Sequence, residues 1–276
     1  MLQLNLTNIR HVALDLDGTL YEGGRLFDAT VPFLDLLGQL GIGRTFLTNN
    51  SSKSVRDYTA RFREMGIEAD ESDFMTSTVA ALDYIRKNLP GARSLFVLGT
   101  PSMQGEVAEA GYEVAGMDGE PDAVLVGFDT TLTYEPLCRA AWWIKQGKPF
   151  VATHPDRVCP TDRPTVLVDC GAMTACLEHA TGRGPLAVPG KPDPGMLAPI
   201  LDRHGLEACE LAMVGDRIYT DMEMARRTGA LGVLVLSGES SAEDAEAARP
   251  RPDLVVSGIA DFGAMLAAAR QKETGA

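Results

Sequence analysis

The sequence predicts an α/β protein with a mostly parallel sheet and an inserted α/β domain. Two observations carry this. Short apolar runs alternate with helical patterns almost from end to end. After Pro90-Gly91 the alternation starts afresh, as it would in a segment able to close its own core. A chain of 276 residues can bury one large core or two moderate ones, so its length permits a second core.

Val12–Leu16 reads as the first strand and Ala29–Leu40 as the first helix, with Asp28 as its N-cap and Gly41 ending it. Thr45–Thr48 is the second strand. Ser52 or Ser54 caps a helix over Val55–Met65, which stops at Gly66. Residues 77–88 form the next helix. Then come strand Leu95–Leu98, helix Ser102–Ala110, strand Ala123–Val126, helix Tyr134–Lys145 and strand Phe150–Thr153. Pro160 to Pro164 breaks the chain before helix Ala172–Ala180, and Gly182-Arg183-Gly184-Pro185 reads as the return linker. Strand Leu186–Val188, helix Gly195–His204, strand Leu211–Gly215, helix Tyr219–Thr228 and strand Gly232–Leu236 follow. A short acidic helix within Ser240–Ala248, strand Leu254–Val256 and an alanine-rich helix complete the chain. The expected domains are thus a core over 1–82 and 184–276, with 83–183 inserted.

The bulk numbers exclude several classes. Net charge is −13 and the pI near 4.8, which argues against a general nucleic-acid or anionic-membrane partner but not against a small anionic substrate. Met1 to Arg10 lacks the pattern of a secretory signal, and no apolar run approaches the roughly 18 residues that span a bilayer. Five cysteines without tight pairing fit reduced thiols in a cytoplasm. Cys170, Cys176 and His179 fit no common zinc spacing, and core packing accounts for them better.

Four segments carry chemistry, and each follows a predicted strand: Asp15 and Asp17, then Thr48 and Asn49, then Lys191, then Asp216 and Asp221. Ligands of an open parallel sheet sit outside the carboxyl ends of its strands, so these groups are expected to converge. A single acid at a strand end is ordinarily a solvated turn residue; the quartet in this order is not so easily explained.

The motifs Asp15-Leu16-Asp17-Gly18-Thr19, Leu47-Thr48-Asn49-Asn50, Gly190-Lys191-Pro192 and Gly215-Asp216-Arg217-Ile218-Tyr219-Thr220-Asp221 resemble the phosphatase branch of the haloacid dehalogenase superfamily. Val126-Gly127-Phe128-Asp129 and Ala152-Thr153-His154-Pro155-Asp156 are similar to its class IIA, the NagD-like and nitrophenyl-phosphatase-like members. The resemblance implies a Rossmann-like doubly wound parallel-sheet core with the α/β cap of class IIA, located where the insertion was read. It also implies a Mg²⁺-dependent phosphatase acting on a small phosphorylated metabolite, and a homodimer formed through the cap.

The chemistry follows from the residue types. Phosphate monoesters hydrolyse so slowly that splitting the displacement into two steps is an advantage. Asp15 would attack phosphorus and form an aspartyl-phosphate, while Asp17 would protonate the leaving oxygen and then deprotonate water. Gly18 would let the chain turn, and a flap over Thr19 to Leu26 would exclude water. Thr48 offers a hydroxyl, Asn49 a backbone or amide N–H, and Lys191 a point charge. Two carboxylates facing a phosphate dianion call for a hard divalent ion, held by Asp15, Asp216 and the backbone carbonyl of Asp17. The family suggests that Asp221 binds through water or orients Lys191.

Substrate choice is expected in the cap, where Thr153 to Gly171 offers His154, Asp156, Arg157, Arg163 and Asp169. His154 stands where the family commonly has asparagine; it either contacts a substrate anion or caps a turn. Sugar phosphates, nucleoside monophosphates, phosphoglycolate and pyridoxal phosphate all fit. A phosphate-metabolite binder without turnover and a phosphotransferase of the same fold are the alternatives. Asp17 argues against the binder, which needs no proton carrier. Adjacent on a helix, Trp142 and Trp143 cannot share a face, and cap packing or a dimer contact suits them better than a substrate platform. The Asp15–Gly18 stretch has the wrong spacing for a calcium loop. Gly182–Ala187 precedes a strand instead of following one, so it is no dinucleotide loop, and Gly190–Pro192 lacks the residues of a P-loop.

Overall fold

The computed structural model describes residues 6–161 and 163–274. Asp162 and residues 1–5, part of the segment read above for a leader, lie outside the described residues. The chain forms two compact units, Met1–Leu47 with Pro192–Ala276, and Thr48–Lys191.

In the first unit the strands Leu254–Val256, Leu231–Val235, Leu211–Gly215, His11–Asp15 and Gly43–Thr48 follow one another in that order, every pair parallel. The first strand of the chain therefore lies between one that follows it and one from the far end of the sequence. This is the switch point of a doubly wound sheet, outside whose carboxyl edge ligands bind. His11–Asp15 and Leu211–Gly215 are buried along their whole length, which is why both read as continuous apolar runs without a period of two. The register pairs Leu14 with Val214 and Asp15 with Leu47, so Asp15 ends its strand level with the ends of both neighbours.

The second unit has its own parallel sheet, in the order Glu113–Val114, Ser94–Leu98, Ala123–Val126, Phe150–Ala152. Alternate residues serve opposite faces. Phe96, Leu98, Val124 and Val126 pack with Ala140 and Ile144 of helix Tyr134–Lys145 and with Met173 and Leu177 of helix Cys170–Thr181. Leu95, Val97, Ala123 and Leu125 pack with Ala81, Leu82 and Ile85 of helix Ser77–Asn88 and with Met103 and Val107 of helix Pro101–Glu109. Helix Ser77–Asn88 thus shares its core with the strands of the insertion, and the units divide at 47/48 and 191/192, outside the 83–183 expected from the alternation.

Several elements differ from their sequence reading. The expected strand Leu186–Val188 is reduced to a single bridge between Ala187 and Val151, because Pro185 and Pro189 on either side supply no N–H to a ladder. Lys191 consequently follows an extended edge segment and not a strand. The helix expected over Tyr219–Thr228 opens as a π-turn, Ile218–Met222, before the α-helix Glu223–Thr228. That expected over Gly195–His204 is split into a 3₁₀ turn, Pro194–Met196, and an α-helix, Ala198–His204. The first helix runs from Thr30 to Gln39 with Ala29 at its N-cap, so Asp28 does not cap it. Ser54, not Ser52, caps helix Val55–Glu64, in a capping box with Asp57. The cysteines are free thiols. Among the described residues no helix is long and apolar enough to cross a membrane.

Candidate active site

Asp15 ends the strand His11–Asp15 and is buried. Beyond it the chain folds back at once: the N–H groups of Thr19, Leu20 and Tyr21 donate to Leu16 O at 3.2, 2.8 and 3.3 Å. Gly18 holds φ at +83°, and a Cβ there would lie 2.4 Å from Asp216 Oδ2, so both backbone and space demand glycine. The turn leaves Asp17 exposed and brings Thr19 Oγ1 to 3.4 Å from Asp15 Oδ2, a contact the motif alone did not reveal. The expected flap is a small antiparallel hairpin, Tyr21–Glu22 with Arg25–Leu26.

Asp216 follows the neighbouring strand Leu211–Gly215 and is 3% exposed. Its Oδ2 accepts from the Glu239 N–H at 2.7 Å, whereas its Oδ1 is buried with no hydrogen-bond partner. Asp221 lies on the π-turn, fully buried, and its Oδ2 accepts from the Arg217 N–H at 3.1 Å. One oxygen from each of Asp15, Asp216 and Asp221 lies within 4.8 Å of the others. Burial, then the charge of Asp15, then that of Asp221, push the Asp216 carboxyl up to about 7, against the opposing pull of the Glu239 N–H and Arg217. Three buried carboxylates in mutual repulsion, one with an orphaned oxygen, fit a hard divalent cation with oxygen ligands.

In the second unit Thr48 is buried and its hydroxyl accepts from the Asn50 N–H at 3.1 Å. The Asn49 amide is fully committed: Nδ2 donates to Asp156 Oδ2 at 3.1 Å and to Lys191 O at 3.0 Å, and Oδ1 accepts from the Lys191 N–H at 2.8 Å. Of the two donors expected from Asn49, the side-chain amide is thus engaged within the protein and is not free to hold a phosphate. Lys191 is 3% exposed. His154 is fully buried, with Nδ1 3.5 Å from Asp156 Oδ2 and Nε2 3.4 Å from Asp169 Oδ1. Arg157 is exposed.

Known proteins resemble this chain in sequence and fold. Residues 12–113 match the model of the haloacid dehalogenase-like hydrolases, and residues 188–262 that of the HAD-hydrolase-like proteins. An acid sugar phosphatase of Staphylococcus aureus is 36% identical over 233 residues, 84% of this chain and 88% of its own. The chain belongs to the haloacid dehalogenase-like hydrolase family. Within that family it is a class IIA phosphatase. The crystal structure of a 4-nitrophenylphosphatase from Thermotoga maritima superposes with a TM-score of 0.88 at 36% identity, covering 94% of this chain and 97% of its own. A glycerol phosphate phosphatase from Mycobacterium tuberculosis, solved in complex with magnesium, gives 0.84 at 32%, covering 94% and 78%. The same enzyme has been solved with calcium.

Proposed function

We propose that the protein is a Mg²⁺-dependent phosphomonoesterase that passes the phosphoryl group through Asp15. The observation that carries the reading is the buried triad of Asp15, Asp216 and Asp221 at the switch point of the sheet, with Asp216 pushed to about 7 by its acidic neighbours and burial. Asp15, Asp216 and the backbone carbonyl of Asp17 would hold the Mg²⁺, and Asp221 would bind through water or orient Lys191. When bound, the ion offsets the carboxylate charges and those of the substrate dianion.

A carboxylate oxygen of Asp15 attacks phosphorus, and the bond from phosphorus to the ester oxygen breaks. Asp17, exposed beside the turn, gives its proton to the departing oxygen. It then takes a proton from the water that attacks the aspartyl-phosphate, releasing inorganic phosphate and restoring Asp15. The Thr48 hydroxyl, the Asn49 backbone N–H and the Lys191 ammonium hold the phosphoryl oxygens as charge builds on them.

The insertion 83–183 selects the substrate, with Arg157 among its exposed cations; the buried ring of His154 is less suited to reach an anion directly. The names of the relatives make sugar and glycerol phosphates the first esters to try. Trp142, 52% exposed, supports a homodimer through the cap of a cytoplasmic enzyme. The deciding experiment is turnover of 4-nitrophenyl phosphate with Mg²⁺ by wild type and Asp15→Asn. The variant is expected to lose at least about 10³-fold in kcat, as other enzymes stripped of a nucleophile do. Near wild-type turnover by Asp15→Asn would end the proposal.

A further inference from the structure

We propose that Asp156 is a positioning residue for Lys191 and acts through the side chain of Asn49. The proposal rests on the role just given to Lys191 and deepens it. A lysine ammonium is a point charge on a flexible stem, so its placement depends on how firmly the backbone beneath it is anchored. That backbone has no regular structure, and the prolines at 189 and 192 have no N–H to offer.

Both polar groups of the Lys191 backbone go to one side chain. Its N–H donates to Asn49 Oδ1 at 2.8 Å, and its carbonyl accepts from Asn49 Nδ2 at 3.0 Å. A primary amide makes this pair in only one sense. Turned by 180° it would set its NH₂ against the Lys191 N–H and its oxygen against the Lys191 carbonyl, and both bonds would be lost. Asp156 reinforces that sense and anchors the amide to its own loop, for its Oδ2 lies 3.1 Å from Asn49 Nδ2 and, when ionised, only accepts.

Asp156 is itself held in place. The buried His154 ring packs beside its carboxylate, with Nδ1 at 3.5 Å and the other ring nitrogen 3.4 Å from Asp169, neither as a hydrogen bond. Asp169 in turn caps helix Cys170–Thr181. The Gly171 N–H donates to Asp156 O at 2.8 Å, and a Cβ on Gly171 would lie 2.1 Å from Pro155 O. A Cβ on Gly190 would lie 2.4 Å from Thr153 O and 2.9 Å from Asn49 Oδ1. The segments 153–156 and 190–191 therefore touch with no slack, and the loop expected to choose the substrate also sets the lysine that holds its phosphate.

The test is a double-mutant cycle in 4-nitrophenyl phosphate hydrolysis with Mg²⁺, on variants whose far-UV circular dichroism matches wild type. Asp156→Ala is expected to lower kcat by about 10- to 100-fold, the scale of an ångström-sized misplacement, with KM within about threefold. Asp156→Asn keeps a carbonyl oxygen for the same amide and is expected to recover kcat to within about fivefold. On a Lys191→Met background, where no ammonium remains to be placed, Asp156→Ala should cost less than about twofold. If Asp156→Ala fails to fold, Asn49→Ala removes the clasp and replaces it in the cycle with the same expectations.

The proposal is overturned by an unchanged kcat in the folded Asp156→Ala or Asn49→Ala variant, or by an equal cost in both backgrounds. It is equally overturned if Asp156→Asn is as impaired as Asp156→Ala. Full activity in Lys191→Met alone removes the role of Lys191 itself, and so separates a failure of the underlying reading from a failure of the positioning.

Discussion

Replacing Asp216 by asparagine tests the acidic triad through stability instead of turnover. In the metal-free protein the Asp216 carboxyl stands at about 7 against an ordinary 3.8. Between those pH values the folded chain keeps a proton that the unfolded chain has released, so stability falls as pH rises through the window. Below 3.8 both states are protonated and the penalty is absent; above about 7 it is complete. At about 1.36 kcal/mol for each unit of pH, the ionised group costs the metal-free fold up to about 4 kcal/mol. Asparagine keeps the shape and an oxygen for the Glu239 N–H but cannot ionise. In EDTA, urea unfolding followed by far-UV circular dichroism should show Asp216→Asn gaining about 2–4 kcal/mol over wild type at about pH 8, and about 1 kcal/mol or less at about pH 4.5. With Mg²⁺ in excess the order should invert, because the ion stabilises only the fold that binds it well. A gain at the higher pH no larger than at the lower would refute the reasoning.

Three further outcomes follow from the same physics. Burial first, then His204 and Arg203, lower the His11 ring from 6.5 to about 4. Its contribution is therefore present above pH 6.5 and lost as pH falls towards 4, by up to about 3 kcal/mol. The melting temperature of His11→Gln should fall less steeply than that of wild type across this window; parallel curves would count against it. Glu106, raised from 4.5 to about 7 chiefly by burial, accepts from the Val55 N–H at 2.8 Å beside Asp57 and Glu109. Stability falls as pH rises from 4.5 to about 7, so Glu106→Gln should gain about 1–3 kcal/mol above that window and little below it in urea unfolding. In Gly238→Ala the new Cβ would lie 2.1 Å from Asp216 Oδ2 and must displace it. The Mg²⁺ concentration for half-maximal phosphatase activity should rise about 10- to 100-fold, and an unchanged titration would show that Asp216 is not a ligand.

The parts of this fold that were legible in the sequence are those fixed by burial and by glycine. Val12–Leu16 reads as a strand because both faces of it are covered, and Gly18 reads as a turn because no side chain fits beside Asp216. What escaped depends on hydrogen bonds that residue type does not encode. The apolar spacing of Ile218–Met222 suits a π-turn as well as an α-turn, so periodicity could not tell them apart. In the run Leu186–Val188 only Val188 packs against the core of the second unit, Leu186 is exposed, and the prolines around them prevent a ladder. The short hairpin of Val158–Cys159 with Leu167–Val168 has too few residues to show a period. In the candidate site, Asp15, Asp216 and Asp221 were found by motif and spacing. The commitment of the Asn49 amide to Lys191 and Asp156 was not, since it is a matter of rotamer and spans 142 positions of the chain.

Among the described residues two buried groups are able to hold a cation, Asp15 with Asp216 and Asp221, and His154 with Asp156 and Asp169. Both contain buried polar atoms without a hydrogen bond, Asp216 Oδ1 in the first and the His154 ring nitrogens in the second, so the charge of their members decides between them. In the second, an imidazole stands between two carboxylates, the Asn49 amide donates to one and the Cys170 N–H to the other. Donors drawn from the protein already face both acids, and a cation entering there would have to break the clasp on Lys191. In the first, the third charge is another carboxylate, a backbone N–H reaches each of Asp216 and Asp221, and Asp216 keeps one buried oxygen without a hydrogen bond. Such a cluster is stable only when protonated or when a cation is shared among its members. The metal we propose is therefore better placed at the first group, and the second serves the positioning of Lys191 proposed above.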